Sequence, residues 1–328
     1  LKYLNAASKL LAEETWEHNY PLMFSIEGLM AECELLTGDM STAEKRLTRL
    51  AEHARSRHDH SVATRLRLTL YTNWDKSDWG LDVFLEWLHR DGTDWSRHPT
   101  REDAMHEYAR IWTLLGSRQI EDLVALPLIT DPEVLDTLDV YSEAVTPSFF
   151  SDEHLSSLVV CRLVSLSLEH GNCDASCYGY VWLGFLAGPR FENYRDGYRF
   201  GQLGYDLVEK RGLTRYQART YLCVGALVMP WTKHPASGLE LVRRAFDAAY
   251  RAGDLAFAGY SFNTSITISL ASGAPLAEVQ PEAESGLAFS SKAHLGLVNS
   301  ICGAQLALIR SLRGLTAAFG RLDHEEYS

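Results

Sequence analysis

Three clusters in this sequence carry residue types that can do chemistry. His170, Cys173 and Cys177 offer imidazole and thiolate, the ligands zinc prefers, and Asp174 is a poor fourth. No second Cys-x2-Cys or His-x3-His pair completes a tetrahedral set, so no metal is expected. His89-Arg90-Asp91 matches the opening of a kinase catalytic loop. The asparagine required five residues later is Ser96, and there is no DFG triplet or glycine-rich loop. The triplet reads as a charged helix end. Glu102, Asp103, His106 and Glu107 share one helical stretch, and a solvated charged face is the simpler account.

Wider searches give the same answer. There is no GxxxxGK[ST] phosphate loop, no GxGxxG, no GxSxG elbow and no HExxH pair. No catalytic residue and no cofactor is therefore expected, and the chain reads as a non-enzyme. The remaining binding candidates are His170 and Asn172 in a polar turn, with Tyr178 and Trp182 in the aromatic stretch Tyr178-Gly179-Tyr180-Val181-Trp182. Such aromatics make binding hot spots, and they also fill helix interfaces.

The elements that would position these residues are helical. Apolar residues at Leu22, Ile26, Leu29, Met30, Cys33 and Leu36 fall three and four apart. Thr37-Gly38-Asp39 then stops the helix, and Ser41 with Glu44 fits a capping box for the next. The grammar recurs. Asp75-Lys76-Ser77 turns, Gly116 ends a helix through His106, Ile111 and Leu115, and Asp131-Pro132 opens another. Ser151 is expected to cap a helix to His170. Further helices fit 177–187 up to a break at Gly188-Pro189, then 191–210, 215–229, 238–252, 256–271, 281–294 and 297–313. Strict alternation over strand length is hard to find.

The hairpin pattern repeats in degenerate form. A Gly turn is followed by an aromatic or apolar residue and then a small one, as in Leu36-Thr37-Gly38-Asp39 with Ala43 and in Ala252-Gly253-Asp254 with Phe257 and Ala258. The expected fold is all-α, a tetratricopeptide-like superhelical solenoid of stacked antiparallel helix hairpins over 1–328. A possible seam near 127–132 would divide two lobes.

Composition narrows the partners. With 31 basic against 43 acidic residues the net charge is −12, so nucleic acid is not expected. No apolar run is long enough for a membrane span. Six scattered cysteines, mostly in apolar helical patterns, point to a reducing cytoplasm. The sequence opens at Leu1 without a signal-peptide pattern and is expected to come from a longer protein.

Several stretches resemble one large family of bacterial multi-sensor signalling proteins. They are Ala31-Glu32-Cys33-Glu34-Leu35-Leu36-Thr37-Gly38-Asp39, Ser167-Leu168-Glu169-His170-Gly171-Asn172 with Tyr178-Gly179-Tyr180, Gly197-Tyr198-Arg199-Phe200-Gly201, and Leu312-Arg313-Gly314-Leu315-Thr316. Members join a serine/threonine kinase-like domain, a STAND/AAA-like ATPase, a helical repeat region, GAF modules and a histidine kinase. The resemblance implies the repeat region between ATPase and GAF modules, with no catalytic residues of its own. The two cysteines in Cys173-Asp174-Ala175-Ser176-Cys177 depart from the small or serine-like residues expected there. Two functions follow as expectations. One is a protein–protein interaction and signal-relay segment contacting neighbouring domains or peptide partners. The other is a ligand-sensing repeat domain with an effector pocket near Trp182.

Overall fold

The computed structural model describes residues 2–8, 15–316 and 319–320. Among them the chain is all-helical, and its one β-type contact is an isolated bridge between Leu128 and Asn172. In chain order the helices are α1 (Lys2–Ser8), α2 (Thr15–His18), α3 (Tyr20–Leu36), α4 (Met40–His53), α5 (Arg57–Asn73), α6 (Ser77–Arg90), α7 (Arg101–Leu115), α8 (Pro132–Ser151) and α9 (Glu153–His170). They continue as α10 (Asp174–Phe191), α11 (Tyr194–Arg211), α12 (Gln217–Cys223), α13 (Leu239–Ala252), α14 (Leu255–Ala271), α15 (Leu276–Lys292) and α16 (Gly296–Leu312). No helix is long and apolar enough to cross a membrane among these residues.

The chain forms two compact units. The first comprises residues 1–109 and 129–166, the second 110–128 and 167–328. The chain passes between them inside α7, at 128/129 within the expected seam region, and inside α9.

Two Gly-Asp pairs show how the sequence makes its turns. Gly38 and Gly253 take φ of 84° and 75°, a conformation that costs glycine little and ends α3 and α13. The following aspartates cap the next helix: Asp39 accepts from the Thr42 N–H at 3.2 Å and Asp254 from that of Phe257 at 3.3 Å.

Several boundaries differ from expectation, each for a local reason. Asp39, not Ser41, caps α4, because a carboxylate is the stronger acceptor and reaches the first turn. Ser151 lies inside α8; Asp152 caps α9 instead, accepting from the N–H groups of His154 and Leu155 at 2.9 Å each. Gly188-Pro189 does not break α10. Burial of Leu186, Ala187 and Gly188 outweighs the one backbone bond proline removes. Helix α15 begins at Leu276 and runs through Pro281; the carbonyl that proline orphans belongs to exposed Ala277. The stretch expected as one helix over 215–229 closes as α12, a π-helical turn Val224–Val228 and a 3-10 turn Met229–Trp231.

Packing follows a similar pattern in the two units. In the first, α3 packs on α4 and on α5, and α5 packs on α6 and on α8. In the second, α10 packs on α11 and α12, α12 on α13 and α14, and α14 on α15 and α16. In the second unit every other helix therefore touches its neighbour and the helix after that; in the first, α3 does so, whereas α5 skips α7 and packs on α8. Apolar clusters fill the gaps, one around Phe24, Leu47, Leu50, Leu66 and Tyr71, another around Ile266, Val279, Val298, Cys302 and Leu306.

The α10–α11 pair shows how close this packing runs. A Cβ placed on Gly184 would meet the Gly197 carbonyl and the Gly201 nitrogen at 2.7 Å, and one on Gly204 would meet the Cys177 carbonyl at 2.5 Å. Backbone cannot yield as a flexible side chain can. Gly184→Ala is therefore expected to lower unfolding stability by about 2 kcal/mol or more, as overpacking does, read as a fall in the urea midpoint. An unchanged midpoint would show that the two helices can separate freely.

Candidate functional site

The four binding candidates lie in the second unit. His170 ends α9 exposed, while Asn172, Tyr178 and Trp182 are buried. Gly171, not Asn172, takes the positive φ, at 116°, because a Cβ there would meet the Pro127 carbonyl at 2.3 Å. Asn172 then sits extended and 0% exposed. Its N–H donates to the Pro127 carbonyl and its Nδ2 to the Leu123 carbonyl, both at 2.8 Å, and its Oδ1 accepts from the Tyr180 hydroxyl at 3.3 Å. Arg211 donates to the carbonyls of Val124 and Leu126, and Arg199 pairs with Glu121 at 2.6 Å. The Arg199 guanidinium holds the Glu121 carboxyl down to about 2. Asn172 thus fastens the 119–128 segment to α10 from one side while two arginines hold it from the other.

Tyr178 and Trp182 belong to an aromatic cluster. Tyr178 stacks on Tyr216 at 6.1 Å and meets Trp182 and Phe257 edge-on. Arg219 lies over the rings of Tyr216 and Phe257, at 5.3 and 4.7 Å, and pairs with Asp254 at 3.0 Å. The capping aspartate of α14 is thereby tied to α12. Sequence spacing gave no sign of this tie, because Arg219 and Asp254 lie 35 residues apart.

The other chemical candidates also have structural partners. Burial pushes the Cys177 thiol well above its usual range, and its Sγ lies 3.8 Å from the Leu213 carbonyl. Cys173 caps α10. Burial raises the Cys161 thiol too, and lifts that of Cys223 to about 12. Such thiols are poor nucleophiles at neutral pH. Among the described residues no three His, Cys, Asp or Glu side chains converge as metal ligands. Asp91 of the His-Arg-Asp triplet is paired with Arg57 at 2.7 Å, and Arg90 with Glu86 at 2.9 Å.

At least three concavities lie among the described residues of the first unit, the smallest of them about 350 Å³ beside Arg67, Tyr71 and Trp79. A polar hollow of about 390 Å³ is lined by Asp94, Trp95, Asp103, His106 and Glu107. Asp103 is already committed to capping α7, accepting from the Thr100 N–H at 2.8 Å and its hydroxyl at 2.7 Å. The larger feature, about 510 Å³, is a groove between α3 and α5. Tyr20, Phe24, Gly28 and Glu32 line one wall at helical spacing, and His58, Val62, Arg65 and Leu66 the other. Leu29 lies on its edge, 49% exposed. Gly28 widens the floor, since a Cβ there would reach only Leu66 and Leu50, at 3.8 and 3.9 Å.

One end of the groove is fixed by a hydrogen-bond cluster. Asp59 accepts from the Tyr20 hydroxyl at 2.8 Å and from the N–H groups of Ser56 and Arg55 at 3.0 and 3.2 Å. Arg55 lies 4.3 Å from the centre of the Tyr20 ring. Burial works to raise the Asp59 carboxyl, but these hydrogen bonds outweigh it and hold it below its usual value. Burial and then Asp59 raise the Tyr20 hydroxyl to about 12. Toward the other end, the side chains of Glu32 and Arg65 make no hydrogen bond or ion pair among the described residues. The sequence reading passed over this groove because its two walls are half-apolar helices that separately look like core.

No family model matches the chain, and no curated protein matches it either.

Two measurements follow from this geometry. Asn172→Ala leaves the Leu123 carbonyl and the Tyr180 hydroxyl without their partner, and should cost about 2 kcal/mol in urea unfolding. Unchanged stability would mean that Asn172 serves something other than this clamp. Asp59→Asn should cost about 1 kcal/mol near pH 7 through the lost cap. The carboxyl is depressed in the folded state, so its stabilisation holds above its unfolded pKa of about 4 and fades as pH falls below that. The wild-type and variant unfolding curves should therefore converge as pH falls below about 4. A constant gap across that range would contradict the assignment.

Proposed function

We propose that this chain is a docking and relay segment of a larger bacterial signalling protein, built as a tetratricopeptide-like solenoid and turning over no substrate itself. The packing of alternate helices on one another in both units supports the solenoid. The stretches 31–39, 167–172 and 312–316, which resemble the repeat region of the multi-sensor kinases, support the setting.

One observation carries the docking reading: the groove between α3 and α5. Its floor is apolar and continuous with the core, while its rim offers an acid and a base, Glu32 and Arg65, that no other residue engages. An extended peptide or a helix from a neighbouring domain would bury apolar side chains along Phe24, Val62 and Leu66. It would set a cationic group against Glu32 and an anionic one against Arg65. The alternative of a ligand sensor draws on the polar hollow at Asp94 and His106, which is large enough for a small polar effector. The groove is larger and better suited to a polypeptide.

Leu29→Glu tests the reading. The side chain is half exposed, so the fold should survive with an unchanged helical circular dichroism spectrum. Capture of the neighbouring domains of the parent protein should weaken at least tenfold, the scale of a hot-spot loss. Undiminished capture would place docking elsewhere, and ATP hydrolysis by the pure segment would overturn the non-catalytic reading.

A further inference from the structure

The second unit carries an exposed aromatic pair that the fold holds in place. Tyr194 opens α11 and is 45% exposed; Trp231 ends the 3-10 turn after α12 and is 46% exposed. Their rings lie 5.1 Å apart, tilted by 59°. Large aromatics half in water normally gain by folding away, so the support beneath each is informative.

The Tyr194 ring and the segment that carries Trp231 are each seated by a missing side chain. A Cβ on Gly188 of α10 would meet the Tyr194 ring at 2.4 Å, so the ring lies against the bare backbone there. A Cβ on Gly201 of α11 would meet Val228 at 2.5 Å, so the last residue of the π-helical turn is seated in the same way. Gly225 and Gly238 bring the start of that turn against the 3-10 turn Pro235–Gly238, where a Cβ on Gly238 would meet the Gly225 carbonyl at 2.0 Å. These contacts fix the segment that presents Trp231. A π-turn inside a helix costs hydrogen-bond geometry and tends to be kept where it aims a residue. A pair immobilised before binding loses little entropy on binding, which is what a hot spot requires.

Two exposed cations lie beside the pair although the chain carries a net charge of −12, and one exposed carboxylate, Glu192 at the C-cap of α10, lies on the Tyr194 side. Lys233 lies 5.6 Å from the centre of the Tyr198 ring, one helical turn from Tyr194, and Arg195 follows Tyr194 on the exposed side of α11. Among the described residues neither cation has a carboxylate partner, whereas Arg199, Lys210, Arg219 and Arg244 of the same unit each have one. The nearby Asp196 is taken by Arg199 at 2.9 Å.

We infer that Tyr194 and Trp231, flanked by Arg195 and Lys233, form a docking patch for an acidic peptide segment bearing a large apolar side chain. The apolar side chain packs on the two rings and the flanking carboxylates meet the two cations. This surface stands independently of the α3–α5 groove.

The test uses labelled octapeptides of glutamate around one central Trp, Leu or Ala, with lysine counterparts, titrated into the whole chain and read by fluorescence polarisation. The glutamate peptides with Trp or Leu should bind saturably, and the Ala and lysine peptides at least tenfold more weakly. Trp231→Ala should weaken binding at least tenfold. The double variant Arg195→Glu/Lys233→Glu, which changes only exposed charges, should reverse the preference toward lysine peptides. Leu29→Glu in the groove should leave the titration unchanged. Equal binding of acidic and basic peptides, no saturable binding, or full binding by the double variant would each overturn the patch.

Discussion

The constraint on which this structure depends is that its helices carry more apolar surface than one neighbour can cover. Helix α10 buries residues on every side, from Ala175 through Trp182 to Gly188, and α14 buries Ala256, Phe257, Ile266 and Ile268. A helix apolar all round needs partners on more than one face. Packing α10, α12 and α14 each on the next helix and on the one after supplies them. Close approach follows, and with it the glycines at 184, 197, 201 and 204, where backbone meets backbone. The same constraint accounts for the grooves. Where α3 and α5 stand side by side, the strip between them is lined by residues that neither helix covers.

Buried polar groups then serve to fix register rather than chemistry. Glu27 and Glu34, one face of α3 seven residues apart, both pair with Arg46 of α4, at 2.7 and 2.8 Å. Asn172, Arg199 and Arg211 hold the segment before α8, and Arg219 joins the cap of α14 to the aromatics of α12. Removing one partner from such a set leaves a charge or carbonyl stranded in apolar surroundings, so the sets lock neighbouring helices into one alignment. With alignment fixed in this way, a displacement at one helix can pass to the next.

The helices were legible in the sequence because period and punctuation agreed. The Gly-Asp turns at 38–39 and 253–254 end one helix and cap the next by chemistry confined to a few residues, and Asp131-Pro132 opens α8 as read. Misreadings arose where tertiary burial overrode local rules, as at Gly188-Pro189, where solvent reaches the carbonyl a proline orphans, as at Pro281, or where two acceptors competed for one cap, as at Ser151 and Asp152. The π-turn at 224–228 had no local signal, since it answers to Gly201 on another helix. Candidate sites were less legible for the same reason. Tyr178 and Trp182 were visible as aromatics, but whether they face a ligand or Tyr216 and Phe257 is decided by residues far along the chain. The α3–α5 groove and the Tyr194–Trp231 pair exist only once separate helices are placed together.

The central claim is that the first unit receives a polypeptide between α3 and α5. Hydrogen–deuterium exchange of the chain, alone and with the domains that the docking proposal sets beside it, tests it most directly. The account predicts added protection over Tyr20–Leu36 and Arg57–Asn73, with little change across α4, which does not line the groove. Protection absent from α3 and α5, or spread evenly over the unit, would contradict it.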